Sequence, residues 1–198
     1  MIATVTLNPS LDEWITVPSI RVGELNRAED FSRYPGGKGL NVSRVLHTLS
    51  VPTIAYGLAG GEDGAILRAL MNRLAIRHEF VAVDGTTRNN YKVRTRSPRA
   101  VTEINTPGPT VRPAQAQALQ RIMLRRTPRY IALSGSLPPG LASTPYARWI
   151  TVLRRAKIPA VLDASDAALR SGPYKDQGMS AYSRLQEAVQ KQEHAPDA

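Results

Sequence analysis

The stretch Tyr34-Pro35-Gly36-Gly37-Lys38-Gly39-Leu40-Asn41 puts three glycines, a lysine and an asparagine within six positions. Glycine loses the most backbone freedom on ordering, so such a cluster belongs in a turn rather than inside a helix or strand. The residues that follow read as a helix over 41–49, with Val42, Val45, Leu46 and Leu49 at i, i+3, i+4 and i+7. Gly36 and Gly37 then sit in the turn that opens it. There the first N–H groups lack partners and the helix dipole is positive, which suits an anion or sugar hydroxyls. Lys38 adds a mobile positive charge, and Asn41 brings both a donor and an acceptor. A plain glycine turn before a helix has the same local pattern. Asp12 comes shortly after the apolar run Ile2–Leu7, once Asn8-Pro9-Ser10 has ended it. It is therefore expected just past a strand's carboxyl end, where open α/β sheets place ligands. Its carboxylate can accept two hydroxyl hydrogen bonds, or simply cap a turn. Asn90 and Lys92, two residues apart, share one face of an expected strand. A charged edge strand guarded against aggregation has the same pattern. Ser134 and Ser136 end the buried-type run Tyr130–Leu133, at the same end of the fold.

These groups need a scaffold, and the chain alternates strand and helix signals throughout. Thr53–Leu58, Phe80–Val83, Tyr130–Leu133 and Ala160–Leu162 read as core strands. Leu67, Leu70, Met71 and Leu74 mark a helix. Pro113 and Pro145 each stand at a first helical turn, with Leu119, Ile122 and Met123 on one apolar face and Tyr146, Trp149, Ile150 and Leu153 on the other. The alternation predicts a doubly wound α/β fold with a mostly parallel sheet. Glu13–Val17, Arg27–Tyr34, Asn89–Thr95 and Val101–Asn105 are polar-leaning strands outside that pattern. From Ser171 to Ala198 the chain turns polar, with a weak helix pattern over 181–192.

The chain has 198 residues, of which 42% are hydrophobic, enough for one domain with a real core. There is no cysteine, so disulfides and thiolate metal sites are excluded, and His47, His78 and His194 lack ligand spacing. No apolar run reaches transmembrane length and no leader is visible, so a cytoplasmic protein is expected. The formal net charge is +10, and Arg88 to Arg129 holds ten Lys/Arg against one acid, Glu103. These charges are scattered over expected strands, loops and a helix without interleaved aromatics. That argues for solvated surface charge over a nucleic-acid function.

Taken together, Thr6–Asp12, Pro35–Asn41 and Ser134–Gly140 resemble, in order and spacing, the ribokinase-like sugar kinases of the phosphofructokinase B branch. The nearest members are 1-phosphofructokinase and tagatose-6-phosphate kinase. The resemblance covers residues 1 to about 169 and implies a ribokinase-like sheet with a small β lid, here truncated on its carboxyl-terminal side. Residues 1–170 would be the amino-terminal part of the kinase domain, with lid strands at about 13–34 and 89–105, and residues 171–198 a divergent tail. It further implies that Asp12, Gly36, Gly37 and Asn41 hold sugar hydroxyls, and that Lys38 and Arg88 meet the distal phosphate of a hexose phosphate. Asn90, Lys92, Glu103, Ser134 and Ser136 would add substrate contacts. ATP and Mg2+ are implied as donor and cofactor, and a homodimer through the lid strands as the assembly. The family's catalytic Asp lies in a Gly-Ala-Gly-Asp turn. Nothing after Asp163 matches it, and Gly60-Gly61-Glu62-Asp63 belongs to an earlier unit. The expectation is thus a hexose-phosphate kinase that is inactive or incomplete as this chain, or else a non-catalytic sugar-phosphate-binding or dimerisation module.

Overall fold

The computed structural model describes residues 1–141 and 145–164; the polar stretch 171–198 and its weak helix pattern lie outside them. Five strands form a parallel sheet: β1 (Ile2–Thr6), β4 (Thr53–Ala59), β5 (His78–Ala82), β8 (Tyr130–Ser134) and β9 (Ala160–Asp163), in the order β5-β4-β1-β8-β9. Two helices, α1 (Lys38–Thr48) and α2 (Gly61–Arg73), contribute to the apolar cluster on one face, built on Leu40, Ala55, Leu67 and Met71. The helices α3 (Pro113–Leu124) and α4 (Pro145–Arg155) cover the other through Leu119, Met123, Tyr146, Trp149 and Leu153. Both start at a proline, whose missing N–H is no loss in a first turn. Each buried Leu, Ile or Met side chain contributes roughly 1.5–3 kcal/mol. The expected doubly wound parallel sheet is present.

A second sheet, ordered β3-β2-β6-β7, comprises β2 (Ser10–Val17), β3 (Asp30–Gly36), β6 (Arg88–Thr95) and β7 (Ala100–Asn105). β2 and β6 run parallel at its centre, and β3 and β7 lie antiparallel on the flanks. In this register Asp12 lies opposite Tyr34 on one side and Asn90 on the other. Asp12 is thus the third residue of a strand in the small sheet, not a residue just past the end of β1. Leu7-Asn8-Pro9 is the short passage between the two sheets.

The helix after the glycines also differs from expectation. It starts at Lys38 rather than Asn41, and its buried residues are Gly39, Leu40 and Ser43. Val45 and Leu49, read from the sequence as its apolar face, are 59% and 66% exposed. The reason is close approach. A Cβ on Gly39 would sit 2.5 Å from Thr6 Oγ1 and 2.8 Å from the Val5 carbonyl oxygen. Ser43 shares hydroxyl hydrogen bonds with Thr4 at 2.8 Å and Thr53 at 3.2 Å. Small residues let the helix lie against β1, and that contact overrides the longer apolar stripe.

Candidate functional site

The carboxyl end of β1 leads through Leu7-Asn8-Pro9 into β2, and β3, which ends at Gly36, leads through Gly37 into α1. These two crossings meet at Asp12. Its Oδ1 accepts from Ser10 Oγ at 2.9 Å and from Asn90 Nδ2 at 3.1 Å, while Lys92 Nζ stands 3.8 Å from Oδ2. The Asp12 side chain keeps 15% of its surface exposed. A Cβ at Gly36 would fall on Asp12 Oδ1, and it would be 2.5 Å from Ser10 Oγ. No side chain fits there, so the backbone at the mouth of α1 comes directly against the carboxylate. Gly37 caps α1 with φ 111° and ψ 139°, a conformation that a Cβ makes costly. The Asp12 carboxylate thus lies against the Gly36 backbone, one residue before the Gly37 cap of α1, and carboxylate oxygens are acceptors suited to hydroxyls.

Along the same face of β6 runs a chain of contacts. Arg88 donates through Nε to the Asn8 carbonyl at 3.2 Å, and through Nη1 to Asn90 Oδ1 and the Thr106 carbonyl, each at 3.3 Å. Burial pushes its guanidinium below the usual arginine value, and the nearby Asp12 carboxylate pulls it back up. Asn90 is committed on both ends, accepting from Arg88 and donating to Ser10 Oγ at 3.0 Å as well as to Asp12. It orients Asp12 and Arg88 rather than standing free for a ligand. Lys92 bridges Asp12 to Glu103, 3.4 Å away, and lies over the Trp14 ring beside Arg94.

Arg88 also lines a cleft of about 500 Å³ with Asn8, Pro107, Ser136, Leu137, Pro138, Pro139 and Leu141. Asn8 Nδ2 donates to the Pro107 carbonyl at 3.0 Å and to Ser136 Oγ at 3.4 Å, while its Oδ1 is buried without a partner. Ser136 therefore joins Arg88 at the cleft. Ser134 is buried, and its carbonyl accepts from the Tyr146 hydroxyl at 3.4 Å. Burial raises the Tyr146 pKa, so it stays a neutral donor that ties α4 to the end of β8. Lys38 pairs with Asp163 Oδ1 at 3.3 Å, beside the Gly135 turn. Asn41 is exposed on the first turn of α1, where its Oδ1 accepts from Arg44 at 3.4 Å.

Asp12, Gly36, Arg88, Asn90, Lys92 and Glu103 are thus brought into one connected face, with Ser136 across the cleft. Lys38 points to a different neighbour, Asp163. Sequence reasoning missed Ser10, which has 0% exposure, and Asn8; both lie inside the Thr6–Asp12 motif. It also missed the Lys38–Asp163 pair, which spans 125 positions and leaves no local signal.

The pfkB family carbohydrate kinase profile matches residues 5–183. The chain belongs to that family. Among solved structures similar to this pfkB family chain is phosphofructokinase-2 from Escherichia coli in its tetrameric inhibited form. It is 28% identical with a TM-score of 0.81, covering 86% of this chain and 56% of that one. A 1-phosphofructokinase candidate from Thermotoga maritima is 32% identical with a TM-score of 0.80, over 87% and 57%. A phosphofructokinase candidate from Staphylococcus aureus is 36% identical with a TM-score of 0.73, over 88% and 56%. The chain spans less than three-fifths of the length of these relatives.

Proposed function

We propose that this pfkB chain binds a hexose phosphate as the phosphoryl acceptor of a kinase of the 1-phosphofructokinase or tagatose-6-phosphate kinase type. The observation that carries the reading is the Asp12–Gly36 contact. A partly buried carboxylate, oriented by Ser10 and Asn90, lies against the Gly36 backbone just before α1 with no side chain between them. Asp12 would accept from sugar hydroxyls, the Gly36-Gly37 backbone and Asn41 would complete the sugar's polar partners, and Arg88 with Ser136 would receive the phosphate in the neighbouring cleft. The small sheet acts as the lid. Asp12→Ala should weaken sugar-phosphate binding by about 1–3 kcal/mol, roughly 5- to 150-fold. Calorimetry showing equal affinity in mutant and parent would reject this role for Asp12.

ATP would supply the phosphoryl group. Among the described residues there is no cluster of three or more His, Asp or Glu groups. Mg2+ in phosphoryl transfer is held by one or two carboxylates together with the donor's phosphates, and Asp163, at the end of β9, is engaged by Lys38. A second reading rests on the sequence, which has no Gly-Ala-Gly-Asp turn: the chain alone is a sugar-phosphate-binding or dimerisation module. Among the described residues no helix is long and apolar enough to cross a membrane.

A homodimer through the small sheet belongs to the same proposal. On the sheet face away from Asp12, Phe31 and Ile104 are 51% and 56% exposed. Ile15, paired with Phe31, and Val93, paired with Ile15, lie on that same face on the two strands between them. A second copy would cover that surface. Light scattering should show a dimer for the parent and a monomer for Phe31→Asp combined with Ile104→Asp. An unchanged mass would move the interface elsewhere.

A further inference from the structure

The net positive charge looks scattered along the sequence, but the fold gathers much of it at one place. In a parallel sheet every helix-to-strand turn opens at the strands' amino ends, opposite the candidate site. Arg77 precedes β5, Arg125 and Arg129 precede β8, and Arg154, Arg155 and Lys157 precede β9, and all six are exposed. These turns are stitched to the sheet end. Arg129 N donates to the Met1 carbonyl, Ala55 N to the Arg77 carbonyl, and Ile131 N to the Pro159 carbonyl. None of the six has a carboxylate partner among the described residues. Glu79, the acid beside them on β5, is taken by Arg126 at 2.6 Å. The other acids of the described residues stand on the small sheet and its loops or at the carboxyl ends of the main sheet's strands.

Helix polarity explains only part of this. Arg154 and Arg155 lie in the last turn of α4, where a cation offsets the dipole. Arg77, Arg129 and Lys157 lie beyond the helices, in the turns themselves. The basic turns stand before β5, β8 and β9, with none before β4, so they span the sheet end, roughly 20 Å for five strands at about 4.8 Å spacing, from one edge to the other. A nucleic-acid duplex offers roughly a dozen phosphate charges along that distance, at about one per 1.7 Å. Guanidinium forks match phosphate oxygens in pairs. The one aromatic in the band is Tyr130, with Arg129 over its ring, so there is no stacking platform for single strands. Two exposed leucines at this end, Leu49 and Leu74, are too little apolar surface to hold a membrane.

We propose that the amino-terminal end of the main sheet docks the phosphate backbone of a double-stranded nucleic acid, independently of base sequence. The surface is separate from the sugar-phosphate site, and the proposal does not depend on that reading. The test is fluorescence anisotropy of a short labelled DNA duplex with the purified chain, titrated at several salt concentrations. Arg125, Arg129, Arg154 and Arg155, all changed to Gln, should flatten the slope of log K against log salt by about 3 to 4. Affinity at low salt should fall at least about tenfold, beyond one 1.4 kcal/mol step. A charge-matched control changes Arg21, Arg27, Arg96 and Arg99 to Gln in the loops of the small sheet, and should leave both nearly unchanged. Equal losses in the control would mean that net charge alone attracts DNA, and would overturn the proposal. So would a parent chain with no salt-dependent binding, or one that binds anionic vesicles or polyglutamate more tightly than the duplex. If the fourfold variant does not fold, Arg129→Gln alone should still flatten the slope by about 1.

Discussion

Purified and monodisperse, the 198-residue chain should consume ATP far more slowly than a kinase when given fructose 1-phosphate, fructose 6-phosphate or tagatose 6-phosphate. In the proposed reading the residues gathered around Asp12 and Arg88 would serve the acceptor, orienting hydroxyls and receiving a phosphate. Phosphoryl transfer also needs a base at the attacking oxygen and donors at the transferring group. The sequence has no Gly-Ala-Gly-Asp turn. Losing one such donor typically lowers the rate by about 10²–10³, and without that turn base and donors would be lost together. The main sheet points the same way. Val161 on β9 is 54% exposed, and the outer edge of β9 has no partner strand among the described residues. An open edge of that kind invites oligomerisation or pairing with another polypeptide. Turnover of about 1 s⁻¹ or more, within the usual enzyme range, would sink the expectation and place a base among these residues.

Arg88→Ala should separate the two ends of the ligand. Arg88 is the cation that lines the cleft with Ser136, and its position is set by the Asn8 and Thr106 carbonyls and by Asn90. A hydrogen bond to a charged group contributes about 1.5–3 kcal/mol, so affinity for the sugar phosphate should fall roughly 10- to 150-fold. Affinity for the dephosphorylated sugar should change little. Arg88→Lys, which keeps the charge but not the fork, should fall between the two. Equal losses for both ligands, read by calorimetry, would make Arg88 a framework residue that braces Asn8 and Asn90.

Much of this architecture is legible in the order of residues alone. Pro113 and Pro145 mark the starts of α3 and α4, and Tyr146, Trp149, Ile150 and Leu153, spaced for one helix face, are all buried. Those signals are local: a missing N–H and a 3.6-residue period need no distant partner. The glycine turn was equally plain, because few other residues adopt φ 111°. What stayed hidden depends on contacts between distant segments. α1 turns Gly39 and Ser43 inward because β1 offers Thr4, Thr6 and a carbonyl at close range. No apolar count can anticipate that choice. Asp12 joined the small sheet because β2 pairs with β6, some eighty positions away. That pairing alone makes Asn90 a brace and Arg88 a wall of the cleft. Lys38 found Asp163 by the same kind of closure. The arginines show the division most plainly. Their number and type were determined by the sequence, but their gathering at one end was decided by the parallel sheet, which brings turns distant in the chain to the same edge.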